Sequence, residues 1–216
     1  MSADFQAIIV ETGGAEFSRY EHLLPLITRH RRESIERKKN DKDKLLSLTA
    51  GLLLMTELSA RLGVSPKSLV FEHGAHGKPY IKGSDLQFSL SHTGGAVCAA
   101  FSRGVEIGID VESRSRRITP RVMERAFCDE ERAAAATDED YIRMWVCKEA
   151  FLKRLGIGVT TDLRGVNTMI LPDTVSVPQG DFWLGLSGSG AFEAEIQAIS
   201  MEELSKRAEQ LRVVNL

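Results

Sequence analysis

The stretch RGVEIGIDVE, residues 103–112, carries two carboxylates in a strand-like pattern. Side chains along a strand alternate between its two faces, so Asp110 and Glu112 point to the same side. Two like charges this close repel each other at low effective dielectric, and a proton, an arginine or a metal ion has to offset the repulsion. Mg²⁺ suits such a pair because it prefers oxygen ligands completed by phosphate and water. Gly108 shares this face and leaves room for a ligand; the alternative is a solvated sheet face.

A second candidate set lies on the predicted helix that contains RMWVCKEAFLK, residues 143–153. Trp145, Glu149 and Lys153 are spaced four apart, so they share one stripe of the helix. On an exposed helix this spacing would indicate only an ion pair between Glu149 and Lys153. The helix also carries apolar residues that predict partial burial, which favours a stripe that lines a cleft. Glu149 is then a candidate third carboxylate, or a base that reaches a hydroxyl group.

Two glycine-rich segments, HGKPYI at 76–81 and FSLSHTGG at 88–95, supply groups that can bind phosphate. Their phosphate-compatible side chains are Lys78, Ser89, Ser91, His92 and Thr93. The backbone N–H groups of the Ser-His-Thr-Gly-Gly turn can also bind an anion. A purely structural role for the histidine is the alternative.

The elements that have to position these residues follow from the hydrophobic pattern. FQAIIVET predicts a first strand, and residues 16–39 carry a helical pattern with many charges. DKDKLLSLTAGLLLMTELSARLGVS predicts a long amphipathic helix that ends near Gly63. Between the strands AVCAAF and VEIGIDV, Ser102-Arg103-Gly104 predicts a hairpin turn. Residues 159–199 have β character, including NTMIL, and a short polar helix, MEELSKRAEQL, follows them.

This order of elements predicts an α+β fold with two halves that meet near residue 104. The N-terminal half covers residues 1–104. The C-terminal half covers residues 105–216 and contains the paired carboxylates and the helix stripe.

Composition narrows the class of protein. The formal net charge of −2 argues against bulk electrostatic binding of nucleic acid, which usually needs a strongly basic protein. No uninterrupted apolar run approaches the roughly 20 residues of a membrane span, and the first residues lack the pattern of a secretory signal. Three cysteines without metal-ligand spacing indicate reduced thiols rather than a metal site. We therefore expect a cytoplasmic protein that binds neither nucleic acid nor membrane.

Four motifs, GKP, FSLSHTGG, GIDVE and WVCKEAFLK, occur in this order between residues 76 and 153. In order and spacing they resemble the signature motifs of the 4′-phosphopantetheinyl transferases. The longer, monomeric type, which modifies carrier proteins of fatty-acid, polyketide or nonribosomal-peptide synthesis, is the most similar. RAFCDEE, residues 125–131, resembles the family's Phe-x-x-x-Glu segment. The resemblance implies a 4′-phosphopantetheinyl transferase-like fold of two pseudo-symmetric α/β halves, with the active site between them.

The resemblance also implies a reaction. A serine of an apo acyl or peptidyl carrier protein attacks the β-phosphorus of coenzyme A, 4′-phosphopantetheine moves to the serine, and adenosine 3′,5′-bisphosphate leaves. Asp110, Glu112 and Glu149 would hold the Mg²⁺ that this transfer requires. Glu149 and Lys153 would be catalytic, with Glu149 as general base on the serine and Lys153 in contact with phosphate.

By the same resemblance, the N-terminal half contributes to coenzyme A binding. His92 would bind a phosphate, and Lys78-Pro79 would flank the adenosine end. Basic residues before and within the long helix would hold the 3′-phosphate, although Ser47 stands where the family usually places an arginine; a solvated basic face is the alternative for this run. The residues expected to bind coenzyme A are Lys78, Pro79, Ser91, His92, Lys148, Lys153, Arg32 and Lys44.

Other functions fit parts of this pattern. A metal-dependent phosphohydrolase that acts on nucleotides or coenzyme A would also use carboxylates and a basic residue. An inactive module that only binds carrier proteins or coenzyme A would not need the intact set of carboxylates. The shorter holo-carrier-protein synthases, which form trimers, carry the acid motif near the N-terminus; its mid-chain position here favours a monomer.

The carrier protein is expected to be acidic, so a basic patch near the cleft would assist its association. The arginines that can form such a patch are Arg114, Arg116, Arg117 and Arg121. An exposed flexible loop is an equally good interpretation of this segment.

Overall fold

The computed structural model of the chain describes residues 4–158 and 162–213 and shows a mixed α+β fold. Three segments lie outside the described residues. They are the outer ends of the two predicted halves, 1–3 and 214–216, and residues 159–161 of the predicted β region. The strands are β1 (Gln6–Glu11), β2 (Phe71–His73), β3 (Pro79–Ile81), β4 (Leu86–Thr93), β5 (Ala96–Arg103), β6 (Gly108–Ser113), β7 (Thr174–Gln179), β8 (Phe182–Ser187) and β9 (Glu195–Ser200). The α-helices are α1 (Phe17–Tyr20), α2 (Arg29–Glu36), α3 (Asp41–Leu62), α4 (Pro120–Ala126), α5 (Asp129–Ala134), α6 (Asp138–Leu155) and α7 (Met201–Val213).

The first sheet has the strand order β4-β5-β1-β9. β1 runs antiparallel to β5 and parallel to β9. Alternate residues of β5 enter two different cores because its side chains alternate between the faces of the sheet. Val97, Ala99 and Phe101 pack into the core that contains α3. Ala96, Cys98 and Ala100 pack into a core shared with β6 and β8, so the two sheets lie face to face.

The long helix α3 forms as its sequence predicts. Asn40 caps its start by accepting a hydrogen bond of 2.9 Å from the Lys42 backbone N–H, and Gly63 ends it with φ = 66°. By length and hydropathy alone α3 could cross a membrane, but 72% of its most apolar window is buried inside the protein. Its apolar character is therefore that of a core helix.

The second sheet, β6-β8-β7, is antiparallel and is covered by α6. Two glycines let α6 approach it closely. A Cβ atom at Gly108 would lie 1.8 Å from the Ala150 carbonyl oxygen, and one at Gly185 would lie 2.0 Å from the Val146 carbonyl oxygen. The prediction that Gly108 leaves room for a ligand is therefore wrong, because the space beside it is filled by the backbone of α6.

Three local predictions also need correction. β5 and β6 do not form a hairpin at Ser102-Arg103-Gly104, because they belong to different sheets. The predicted strand NTMIL forms a 3₁₀ turn at Thr168–Ile170, and the next strand begins at Thr174. The helical pattern at 16–39 is divided among α1, a 3₁₀ helix at Glu21–Leu26 and α2. Pro25, which cannot donate a backbone hydrogen bond, lies within that 3₁₀ helix.

The predicted half 105–216 is not contiguous in space. β9 pairs with β1, and α7 packs with α3 on the first sheet, where Thr49 Oγ1 donates to Met201 Sδ at 3.2 Å. The chain thus starts the first sheet, builds the second one, and returns to complete the first.

Candidate active site

The predicted carboxylates and the predicted helix stripe face each other across the β6–α6 contact. Lys153 Nζ lies 2.5 Å from Asp110 Oδ1. One turn earlier on α6, the Glu149 carboxylate is close enough to Asp110 for their charges to interact. One further turn earlier, the Trp145 ring stacks on Arg116, which pairs with Glu112. The spacing of four along α6 therefore does place Trp145, Glu149 and Lys153 opposite the acids of β6.

Asp110 is buried at 6% exposure, and its carboxylate is held from two sides. Oδ1 accepts hydrogen bonds from Ser91 Oγ at 2.6 Å and from Lys153 Nζ at 2.5 Å. The ammonium group also donates to Ser91 Oγ at 2.6 Å, so the three groups form a closed triangle. A buried carboxylate needs such partners, because burying a charge without them is very costly.

The hydroxyl groups of β4 form a row that contacts β6. Ser89 Oγ accepts from the Ile109 backbone N–H at 3.1 Å, Ser91 Oγ donates to Asp110, and Thr93 Oγ1 donates to Glu112 Oε1 at 2.7 Å. These hydroxyls were predicted as phosphate donors, but here they orient the carboxylates at the line where edge strand β4 meets edge strand β6. The hydroxyl residues occupy every second position of β4, as the acids do in GIDVE, and this shared alternation is the sequence pattern that indicates their contact.

Glu112 has a partner on each of its two oxygens. Oε1 accepts from Thr93 Oγ1 and from the Ser113 backbone N–H at 2.9 Å. Oε2 pairs with Arg116 Nη1, and the Arg116 guanidinium carbon lies 4.7 Å from the centre of the Trp145 ring. An aromatic face at this distance attracts the guanidinium group, so Arg116 is held between a ring and a carboxylate.

Glu149 differs from the other two acids because one of its oxygens, Oε1, has no hydrogen-bond partner among residues 4–158 and 162–213. It is buried at 7% exposure, and its Oε1 atom is enclosed without a hydrogen bond. Burial raises the pKa of Glu149, and the negative charge of Asp110 raises this pKa further, while Lys153 and Arg116 lower it in part. A cation placed at this oxygen would relieve both unfavourable contributions.

These carboxylates have the donor chemistry for Mg²⁺, which binds oxygen ligands. Glu149 Oε1 is an unpartnered oxygen that faces the charge of Asp110. Across residues 4–158 and 162–213, however, no three His, Cys, Asp or Glu side chains form a ready metal-binding group. The charges of Asp110 and Glu112 are offset by Lys153 and Arg116 instead. The Mg²⁺ assignment of Asp110, Glu112 and Glu149 stays a prediction.

A basic region adjoins the acids at the end of β4. His92 is exposed there. Partial desolvation lowers the pKa of His92, and the neighbouring positive charges of Lys153, Lys38 and Arg31 lower it further. His92 therefore lies within electrostatic range of three cations, Lys153, Lys38 and Arg31, and their combined positive field suits an anion.

A cavity of about 470 Å³ lies next to this region, between α2, α3 and β3. Arg31 and Pro79 both line it, and the place of Pro79 beside the adenosine end of coenzyme A stays a prediction. Gly51 makes room for the arginine: a Cβ atom there would lie 2.7 Å from Arg31 Cδ. The complete lining is Thr28, His30, Arg31, Ser34, Ser47, Gly51, Leu54, Met55, Phe71, His73 and Pro79.

Neither of the two basic residues predicted for this region, Arg32 and Lys44, lines the cavity, and their contact with coenzyme A stays a prediction. Lys44 pairs with Asp41 at 2.9 Å and lies over the Phe17 ring, away from the cavity. Arg32 does not line the cavity; its neighbour Arg31 does. Residues adjacent on a helix point about 100° apart, so a shift of one position moves the guanidinium group from one side of α2 to another. Gly51, which marks the close approach of α2 to α3, is the sequence signal that could have identified Arg31.

Lys78 has a different role from the one predicted. Its Nζ donates to the backbone carbonyls of Ile107 at 3.0 Å and Arg154 at 3.1 Å. Burial lowers the pKa of this ammonium group. Lys78 therefore connects the residue before β6 with the last turn of α6, where the backbone carbonyls attract cations. Its ammonium group points to these carbonyls and not to the cavity that Pro79 lines.

Lys148 is also unavailable to a ligand. It is fully buried, where Nζ lies 2.6 Å from Glu131 Oε2 and donates to the Leu163 carbonyl at 2.9 Å. The Phe127 ring centre lies 5.2 Å from the same nitrogen. The Phe-x-x-x-Glu segment thus supplies the ring and the carboxylate that receive Lys148, so the predicted contact of Lys148 with coenzyme A is wrong.

Two family comparisons cover most of the chain. The family described as the 4′-phosphopantetheinyl transferase superfamily matches residues 106–205, which contain β6 and α6. The family described as 4′-phosphopantetheinyl transferase, N-terminal, matches residues 15–103, which contain Arg31, Pro79 and His92. Each half of the candidate site thus falls within one of the two matches.

Similar curated proteins carry the same description. The chain is 28% identical over 171 residues to a 4′-phosphopantetheinyl transferase of Bacillus subtilis, covering 74% of this chain and 75% of the relative. It is 26% identical over 200 residues to one of Paxillus involutus, covering 79% and 75%. It is 34% identical over 128 residues to one of Nostoc sp., covering 51% and 52%.

Proposed function

Because the chain belongs to the 4′-phosphopantetheinyl transferase superfamily, we propose that it transfers 4′-phosphopantetheine from coenzyme A to a serine of an apo acyl or peptidyl carrier protein. The reaction is Mg²⁺-dependent and releases adenosine 3′,5′-bisphosphate. Membership of the family identifies the transferase; the donor, the metal ion and the acceptor are the proposal.

The observation that carries the proposal is the meeting of β6 with α6. Among the described residues, Glu149 Oε1 is buried without a hydrogen-bond partner, and Glu149 lies within electrostatic range of Asp110, which Ser91 and Lys153 hold. A folded protein keeps a buried carboxylate without a partner only when something outside the chain supplies one or when the strain serves a function. A bound cation would give Glu149 and Asp110 a positive partner, and a bound diphosphate would give Lys153 a negative one.

Asp110, Glu112 and Glu149 would hold the Mg²⁺ ion. When bound, the ion supplies Lewis-acid neutralisation of the charge on the diphosphate oxygens. Lys153 then stabilises the charge that develops on the bridging oxygen as the bond to the β-phosphorus breaks. For this contact Lys153 exchanges part of its interaction with Asp110 for one with phosphate.

Glu149 is the proposed general base. The serine oxygen of the carrier protein forms a bond to the β-phosphorus, and the bond between this phosphorus and the bridging oxygen breaks. The serine proton passes to the Glu149 carboxylate, directly or through a water molecule, and adenosine 3′,5′-bisphosphate carries the bridging oxygen away. A carboxylate within reach of the serine hydroxyl can accept its proton in the transition state.

Coenzyme A would enter from the first half of the protein. Its phosphates meet the basic region around His92, and its nucleotide end occupies the 470 Å³ cavity that Arg31 and Pro79 line. The acceptor would approach from the opposite end of the acids. Three of the four arginines proposed to attract it are paired, Arg114 with Glu139, Arg116 with Glu112 and Arg117 with Asp138, so these ion pairs reduce the attraction they can offer.

The test is incubation of the protein with coenzyme A and Mg²⁺, with and without an apo carrier protein. Adenosine bisphosphate should appear only when the acceptor serine is present, together with the modified carrier in intact-mass spectrometry. Glu149→Gln should abolish transfer, whereas Glu139→Gln, on the first turn of the same helix, should not. Release of adenosine bisphosphate without an acceptor would indicate a coenzyme A phosphohydrolase and contradict the proposal.

A further inference from the structure

Arg116 contacts two groups that belong to different parts of the site. Its Nη1 pairs with Glu112 Oε2, and its guanidinium plane lies over Trp145, 4.7 Å from the ring centre. About a third of the Arg116 side chain is exposed, whereas Glu112 is largely covered. The arginine thus closes the site from the solvent side.

The other partners of Glu112 do not depend on Arg116. Thr93 Oγ1 and the Ser113 backbone N–H both bond to Oε1, so this carboxylate stays oriented if the arginine leaves. Arg116 covers only Oε2. That oxygen is the one Glu112 could offer to a metal ion without losing its other hydrogen bonds, so a metal ion bound there would compete with Arg116.

We infer that Arg116 is a positioning residue that occupies Glu112 Oε2 in the metal-free protein and releases it when a divalent cation binds between Asp110, Glu112 and Glu149. This inference rests on the proposed function, since it needs a cation at the acids. The Arg116 guanidinium group offsets the charge of Glu112, as Lys153 offsets that of Asp110. Trp145 is the face on which this guanidinium group rests.

The chain contains a matched arrangement away from the acids. Arg114 lies 5.5 Å from the centre of the Trp183 ring and pairs with Glu139 at 2.7 Å. Trp145 and Trp183 are the two tryptophans of the sequence. A second arginine, Arg143, also lies over Trp183, 5.1 Å from its ring centre. Trp145 therefore reports on Arg116, which pairs with an acid of the proposed metal site, whereas Trp183 reports on arginines that pair with none of those acids.

The experiment is a Mg²⁺ titration in the presence of coenzyme A, monitored by tryptophan fluorescence in two full-length variants. Trp183→Phe reports on Trp145, and Trp145→Phe reports on Trp183. Calorimetry of the same samples gives the occupancy of the metal site. The emission of Trp145 should change in proportion to occupancy, because a charge leaves its ring, and the emission of Trp183 should not.

Substitutions of Arg116 distinguish the effect of its positive charge from the effect of its planar group, which stacks on Trp145. In the Trp183→Phe background, Arg116→Gln should abolish the fluorescence change and tighten Mg²⁺ binding about two- to fivefold, as expected when a partly exposed ion pair no longer competes. Arg116→Lys keeps a charge for Glu112 but lacks the planar group that stacks. It should lose the fluorescence change while its Mg²⁺ affinity stays near that of the parent. Arg114→Gln is the control and should alter neither.

Each failure has its own signature. If calorimetry detects no Mg²⁺ binding, both the metal site of the proposed function and this inference are contradicted. If Mg²⁺ binds while the emission of Trp145 stays constant, the inference about Arg116 is overturned and the metal site stands. If a tryptophan variant does not fold, calorimetry of Arg116→Gln with both tryptophans present decides, because unchanged or weaker Mg²⁺ binding there overturns the inference.

Discussion

Glu149 is the residue at which stability and the proposed chemistry conflict. Its Oε1 atom is buried without a hydrogen bond, and Asp110 adds a second negative charge nearby. An unsatisfied buried acceptor destabilises a fold, and functional sites often keep such costs for the sake of activity. The metal-free protein should therefore be less stable with this carboxylate than without it.

Glu149→Gln should raise the free energy of unfolding of the metal-free protein at neutral pH, on the order of 1 kcal/mol, because it removes a buried charge and its repulsion from Asp110. Urea denaturation of both proteins in the presence of a chelator measures the difference. Glu139→Gln, which breaks bonds to Arg114 and Trp183 instead, should bring no gain. A Glu149→Gln variant that unfolds more easily than the parent would show that Glu149 is a stabilising group.

Single residues were predictable where spacing defines direction. The spacing along the chain brought Asp110, Glu149 and Lys153 to one contact, while Glu112 is linked to the same helix through Arg116 and Trp145. Spacing does not reveal which of two adjacent helix residues faces the site, as the buried Lys148 shows. Its partner Glu131 lies on another helix, and the spacing of residues along either helix does not predict this ion pair.

At the scale of elements, α6 can pack closely on the second sheet only because two positions of the sheet are glycines without side chains. Gly108 and Gly185 lie on neighbouring strands, and each would place a Cβ atom within 2.0 Å of a carbonyl of α6. Because the obstructing atoms belong to the backbone, only a movement of the helix could relieve the overlap. Such a movement would separate Glu149 from Asp110.

Gly108→Ala should therefore destabilise the protein by at least about 3 kcal/mol, beyond the usual range for an added methyl group, and should weaken Mg²⁺-dependent coenzyme A binding in whatever fraction folds. Thermal denaturation and calorimetry measure the two effects. Gly94→Ala is the matched control, because its Cβ would meet nothing within 4 Å. Equal stability of the two variants would contradict the close seat of α6.

The elements themselves were largely predictable, but their partners were not. The caps and periodicity of α3 and α6 define both helices in the sequence. Ser102 and Arg103 still belong to β5, and the chain bends at Gly104, whose φ is 68°. β6 then joins another sheet, because β5 is already paired with β4 and β1 and the apolar residues of β6 pack against its face. Local turn residues carry no information about that choice.

For the whole molecule, the sequence predicted two halves with a site between them, and the acids do lie where β4 of one sheet meets β6 of the other. The boundary at residue 104 did not anticipate that β9 and α7 return to the first sheet. β1 and β9 come from opposite ends of the chain, and their parallel pairing follows from burial in a shared core. Neither residue spacing nor turn residues can predict a pairing between strands so far apart in the sequence.

The most direct test of the account is a crystal structure of the protein with coenzyme A and Mg²⁺. We predict one metal ion bound to oxygens of Asp110, Glu112 and Glu149 at about 2.0–2.1 Å, with the diphosphate completing its coordination. A metal ion bound to the diphosphate but to none of these three side chains would contradict the account.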